Sequence, residues 1–128
     1  WYFKPDAGRV LVSPADETPV EPCDVQPEEI DIANAVDRIE RMTSMKIVRI
    51  DHQWSGLRTF AEDKTVVVGF APDAEGFFWL AGQGGYGIET SPSLAAAAVS
   101  LIIDGGLPDR FSAFGLSPED ISPDRLLA

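Results

Sequence analysis

The chain has 128 residues, 45% of them hydrophobic and 24% charged, a balance that fits one folded domain and excludes a disordered segment. Its formal net charge of −11 argues against a nucleic-acid partner, because phosphate binding needs clustered lysine and arginine. No apolar run approaches the roughly 20 residues of a spanning helix, so no membrane span is expected.

Residues 1–14, WYFKPDAGRVLVSP, predict a hairpin: an aromatic run, a Pro-Asp-Ala-Gly turn, then Arg9-Val10-Leu11-Val12. Residue 1 is Trp, and the segment is strand-like from its first residue, so the chain reads as a piece of a longer protein. Residues 15–27 are rich in proline and acids and predict a surface loop. The single cysteine, Cys23, lies there among acids that disfavour a thiolate. It cannot close an internal disulfide, which makes a reducing, cytoplasmic setting the default expectation.

A first helix is expected from about Pro27, with Glu28, Glu29 and Asp31 at its positive end and Arg38 and Arg41 toward its negative one. Ile32, Val36 and Ile39 recur at helical spacing. Residues 47–60, IVRIDHQWSGLRTF, predict a long strand bent at Gly56. TVVVGFA at 65–71 and GFFWLAG at 76–82 predict two more strands about an Asp-Ala-Glu-Gly turn. A second helix is expected from Thr90 or Ser91 to Asp104, with Ser91 as cap and Pro92 at the first helical position. Its apolar face is Leu94, Ala97, Ala98, Leu101 and Ile102, and Gly105-Gly106 ends it. The tail SPEDISPDRLLA offers two Ser-Pro starts for short helical turns and reads as peripheral. The order β-β-α-β-β-β-α indicates an α+β fold, a mostly antiparallel sheet with two main helices.

Between the last strand and the second helix, Gly82-x-Gly84-x-x-Gly87 has the spacing of a dinucleotide fingerprint. That motif also needs a parallel strand after the helix, with an acid to bind ribose. The residues after Gly106, LPDRFSAFGLSPED, contain no strand pattern, so the fingerprint reading fails. Two readings remain open: a tight turn without a ligand, or bare backbone set against a flat partner at a helix N-terminus.

WSGLRTF, the stretch VVVGFAPDAEGFFWLAGQGGYGIETSP and the alanine-rich helix resemble the carboxy-terminal portion of the D-amino-acid-oxidase-like flavoenzymes. The opening YFKPDAGRVLVSPADETPVEPCDVQPEEIDIA looks most like the bacterial D-arginine dehydrogenase branch. The resemblance implies FAD as cofactor and oxidative deamination of a D-amino acid by hydride transfer to flavin N5. D-Arginine or another basic D-amino acid is the implied substrate; glycine- or sarcosine-oxidase-like amine oxidation and a non-catalytic accessory domain are the alternatives. It further implies that the ADP-binding portion lies upstream, in the same or a companion chain, and that this stretch alone is inactive. An apolar face is then expected where that portion belongs.

By the same resemblance, residues 1–82 belong to a substrate-binding domain, 83–106 form the flavin-contacting turn and helix, and 107–128 are a peripheral tail. Arg58 is expected to pair with the substrate carboxylate, a task suited to its planar fork of donors. The Tyr2 hydroxyl is expected to join it, and the Gly85 carbonyl to accept from the substrate amine. Gly84, Gly85, Tyr86, Gly87, Ile88, Glu89 and Thr90 are the expected flavin contacts, of which Glu89 is the odd member because a carboxylate opposes charge on a reduced ring. The only histidine, His52, has no acid–nucleophile partners in sequence and reads as structural. Trp54, Phe77, Phe78 and Trp79 read as core. No His or Cys spacing points to a metal.

Overall fold

The computed structural model describes residues 1–127, and the chain divides into two compact units, Trp1–Leu57 and the stretch from Arg58 onward. The fold is α+β, with two separate two-stranded antiparallel sheets.

In the first unit, β1 (Tyr2–Asp6) pairs with β2 (Arg9–Ser13), Tyr2 opposite Ser13 and Asp6 opposite Arg9. The two residues between them, Ala7 and Gly8, both have positive φ, 46° and 80°. This matches the right-handed twist of the flanking strands. Trp1, just ahead of β1, stacks on Phe3 with ring centroids 5.8 Å apart. Residues 14–28 form no helix or strand, as the prolines dictate. Helix α1 (Glu29–Met42) carries Glu29 and Asp31 in its first turn and Arg41 in its last, complementing the helix dipole. Ala35 and Ile39 are its buried positions. The Arg38 guanidinium donates to the Pro14 carbonyl (2.9 Å), which ties the helix to the residue that follows β2.

The long strand expected over 47–60 does not form. A strand needs a partner's hydrogen bonds, and β-branched composition supplies only the preference for a half-buried surface. Val48 is 93% and Trp54 62% exposed, so neither finds such a surface. Local ion pairs, Arg49–Asp51 at 2.6 Å and Arg9–Asp51 at 3.4 Å, hold the segment instead. His52 lies beside Trp54, centroids 5.3 Å apart.

In the second unit, β3 (Val67–Phe70) pairs with β4 (Phe78–Ala81) across the expected turn. Helix α2 (Gly87–Ile103) packs on β3. Short helices α3 (Asp109–Ser112) and α4 (Pro118–Ile121) and a 3-10 turn (Pro123–Leu126) follow. Val68, Ala98 and Ile121 form the core, with Leu94, Leu101 and Leu116 packed around them. Burying a Val or Ile side chain this fully stabilises by roughly 1.5–3 kcal/mol. Ile102, expected on the buried face, is 52% exposed. The tail forms its two helical turns, yet it is built into the core rather than lying outside it. Ile121 and Pro123 are buried, and Pro123 Cδ would stand 2.8 Å from a Cβ placed on Gly69.

Helix α2 starts earlier than expected. Its N-cap is Tyr86, so Pro92 lies inside the helix and Ser91 is not the cap. A proline within a helix leaves the carbonyl four residues back without its amide donor. Here that carbonyl belongs to Ile88, and the Ser91 hydroxyl donates to it instead (2.8 Å). The Ser-Pro pair that looked like a helix start is a proline with its own repair. Gly105, at φ 74°, ends the helix as expected. Among the described residues no helix is long and apolar enough to cross a membrane.

Candidate functional site

The glycine-rich bend joins β4 to α2 and lies along the backbone of residues 58–61. The Gly84 N–H donates to the Thr59 carbonyl (3.0 Å), and a Cβ on Gly82 would meet the Ala61 nitrogen at 3.4 Å. Gly82 and Gly84 have φ of 70° and 53°, the left-handed region open to glycine at little cost. A Cβ on Gly84 would also lie 2.5 Å from Phe60 Cε1. This glycine is therefore explained by packing within the chain. Tyr86 anchors the far side of the bend, its hydroxyl donating to the Lys64 carbonyl.

Arg58 stands at this bend. Its guanidinium lies over the Phe60 ring, 5.3 Å from the centroid. Nη1 would be 2.7 Å from a Cβ on Gly85. The absent side chain at Gly85 is thus the space the guanidinium uses. Arg58 sits beside the bend in a stretch with no helix or strand, and not at the end of a strand.

Helix α2 opens directly from these residues. Tyr86 makes no side-chain capping bond, and Gly87 is the first helical residue. The first amides of any helix lack intrahelical acceptors and carry partial positive charge. Gly85 and Glu89 are exposed and Ile88 is 94% exposed, so the start of α2 is open to solvent. Thr90 points its hydroxyl back to the Tyr86 carbonyl (2.7 Å). Such a helix start favours negative or electron-rich groups. After α2 the chain continues into α3 and not into a parallel strand, so the bend is no complete dinucleotide cradle. Two shallow depressions of this unit, between Leu107 and Pro118 and between Ala95 and Arg110, lie away from the bend.

Of the expected site residues, Arg58, Gly84, Gly85 and Tyr86 come together, and Gly87, Ile88, Glu89 and Thr90 follow as the first turn of α2. Tyr2 belongs to the first unit, exposed on β1. Thr59, Phe60 and Lys64 were not singled out from sequence. Phe60 follows Arg58 by two residues, the spacing of a shared strand face, and that was the available signal. Among the described residues no group of His, Cys, Asp or Glu is arranged to hold a metal.

An antiparallel hairpin feeds a glycine bend and a helix without a side-chain cap, with an arginine against the bend, and the parallel strand that a nucleotide-binding βαβ unit needs does not follow. The family model described as DAO, FAD dependent oxidoreductase, matches residues 1–101, and the chain belongs to this family of FAD-dependent enzymes. It is also similar to the FAD-dependent oxidoreductase domain-containing protein 1 of Xenopus laevis, 30% identical over 67 residues. That match spans 52% of this chain and 13% of the frog protein.

Proposed function

We propose that the whole protein carrying this chain is an FAD-dependent dehydrogenase or oxidase of D-amino acids, with D-arginine or another basic D-amino acid as substrate. In this reading residues 1–82 serve substrate binding, 83–106 face the flavin ring, and 107–128 close the unit. The observation that carries it is the Arg58 guanidinium set against the bare backbone of Gly85, at the foot of a helix without a side-chain cap. The net charge of −11 suits a cationic substrate better than an anionic one.

FAD, when bound, supplies the acceptor, N5, for the hydride from the substrate Cα. The chain's own residues bind and orient. Arg58 holds the substrate carboxylate with two parallel N–H···O bonds. The carbonyl at Gly85 accepts from the substrate amine and so fixes its orientation. The amides of 86–89, at the positive end of α2, favour negative charge on the ring edge. Glu89, exposed in the same turn, either turns outward to solvent or opposes that charge and would modestly lower the flavin potential. The oxidised amine takes up water and leaves as the 2-oxo acid and ammonia.

The test is an assay of the whole protein with a panel of D-amino acids and N-methylglycine. Turnover of basic D-amino acids, with an Arg58→Met variant binding them about thirtyfold more weakly (about 2 kcal/mol), is the expected result. Turnover of N-methylglycine alone replaces the reading with sarcosine-type oxidation. A colourless protein that cannot be loaded with FAD replaces it with an accessory role. The 128-residue chain by itself is expected to show no turnover.

A further inference from the structure

We infer that Arg125, in the C-terminal tail, is a positioning residue for the Arg58–Gly85 site, acting through the turn at 61–65. Its guanidinium donates from Nε to Asp63 Oδ2 (2.7 Å) and from Nη2 to Asp63 Oδ1 (3.2 Å). Nη2 also donates to the Thr65 carbonyl (2.7 Å) and Nη1 to the Ser122 carbonyl (2.8 Å). The Arg125 side chain is only 15% exposed. A forked arginine–carboxylate pair, shielded from water on one side, holds far better than an ordinary surface ion pair. Lys4–Asp6, with both partners well exposed at 3.8 Å, is the ordinary kind in this chain.

What the pair grips matters more than its strength. If the tail served only the core, the apolar contacts of Ile121 and Pro123 would suffice. Arg125 instead spends three of its four bonds on Asp63 and Thr65. Between these two stands Lys64, at φ 60°, a conformation that a lysine rarely adopts and that its surroundings must hold. Asp63 Oδ1 braces the turn from within by accepting from the Thr65 N–H (2.9 Å).

The opposite side of the same turn meets the glycine bend. The Lys64 carbonyl receives the Tyr86 hydroxyl. The Ala61 nitrogen and Thr65 carbonyl stand 3.4 and 3.7 Å from where a Gly82 Cβ would be. Upstream, Thr59 accepts the Gly84 N–H, and Phe60 and Arg58 fill the space beside Gly84 and Gly85. One five-residue turn therefore couples the tail to both segments of the candidate site, 58–60 and 82–86. Releasing Arg125 loosens the turn, and with it the register of Arg58 against Gly85.

The test uses the whole protein with Arg125→Met, Asp63→Asn and the conservative Arg125→Lys, and two readouts. Amide hydrogen exchange over residues 82–86 is expected to quicken about tenfold in the first two variants and less in Arg125→Lys, which keeps the charge without the fork. The KM for the D-amino acid, which rests on the proposed substrate, is expected to rise about tenfold, with kcat changed less than about twofold. Quickened exchange confined to 61–65 and 122–126, or quickened exchange at 82–86 with KM unchanged, overturns the inference. If the wild-type protein turns over no D-amino acid, the substrate reading fails and the exchange at 82–86 alone decides the positioning role. Should Arg125→Met not fold, Asp63→Asn and Arg125→Lys give the same comparison.

Discussion

Arg58 occupies the space that a side chain at Gly85 would take: Nη1 would be 2.7 Å from a Cβ built there. The neighbouring Gly84 excludes a side chain for a different reason, the rigid ring of Phe60 at 2.5 Å. Adjacent glycines thus have separate duties, one toward the end of a long side chain and one toward an aromatic ring.

The first prediction separates those duties. In Gly85→Ala, the clash falls on the far end of a flexible side chain, which swings away at small cost. Thermal stability is expected to change by less than about 1 kcal/mol. KM for an amino-acid substrate of the whole protein, if Arg58 holds its carboxylate, is expected to rise roughly tenfold. Gly84→Ala meets both an aromatic ring and a φ of 53°. It is expected to lose about 2–3 kcal/mol, read by urea unfolding. Equal losses in the two variants would contradict the assignment.

A second prediction concerns the tail. Gly69→Ala places a methyl 2.8 Å from Pro123 Cδ, and the proline ring cannot rotate aside. Overpacking of this kind costs about 1–3 kcal/mol and is expected to expose the 3-10 turn to proteolysis. Unchanged protection of residues 118–126 would show that the tail does not seat on β3.

Core truncation gives a third. Ile121 is 3% exposed and packs with Val68 and Ala98. Ile121→Ala is expected to cost about 2–4 kcal/mol in a melting experiment, the sum of lost transfer energy and an unfilled cavity. A loss under about 0.5 kcal/mol, ordinary for a surface position, would place Ile121 outside the core.

The fourth is a pH dependence. The Arg125 guanidinium, and next the Thr65 N–H, hold the Asp63 carboxyl down to about 2 from its ordinary 3.8. A folded value below the unfolded one stabilises above the ordinary value, and the gain is lost as pH falls through the folded one. The stability difference between the wild type and Asp63→Asn should be flat near neutrality and shrink between about pH 4 and about pH 2. A carboxyl titration by NMR should show Asp63 returning toward its ordinary value in Arg125→Met. An unchanged Asp63 in that variant would mean the pair does not persist in solution.

Much of the fold was legible in the residues. The Pro-Asp-Ala-Gly turn, the acid-first helix α1, the paired strands β3 and β4 and the Gly105 stop each rest on local chemistry within a few residues. The misread segments depend on distant partners. Residues 47–60 have strand composition but no ladder, and Ser91-Pro92 has the form of a helix start inside a helix already begun at Gly87. Of the candidate site, Arg58 and the glycines could be named from the sequence, but not what touches them. Nothing in SPDRLLA announces that Arg125 reaches Asp63.

The order of residues alone determined the turns, the helix ends and the family to which they belong, because those follow from backbone freedom, charge at helix termini and spacing along the chain. Only the tertiary structure decided that Arg58 lies against Gly85, that Phe60 accounts for Gly84, and that the tail grips the turn at 61–65. Each of these is a contact across long stretches of chain, set by which surfaces can close on one another, and no local propensity encodes it.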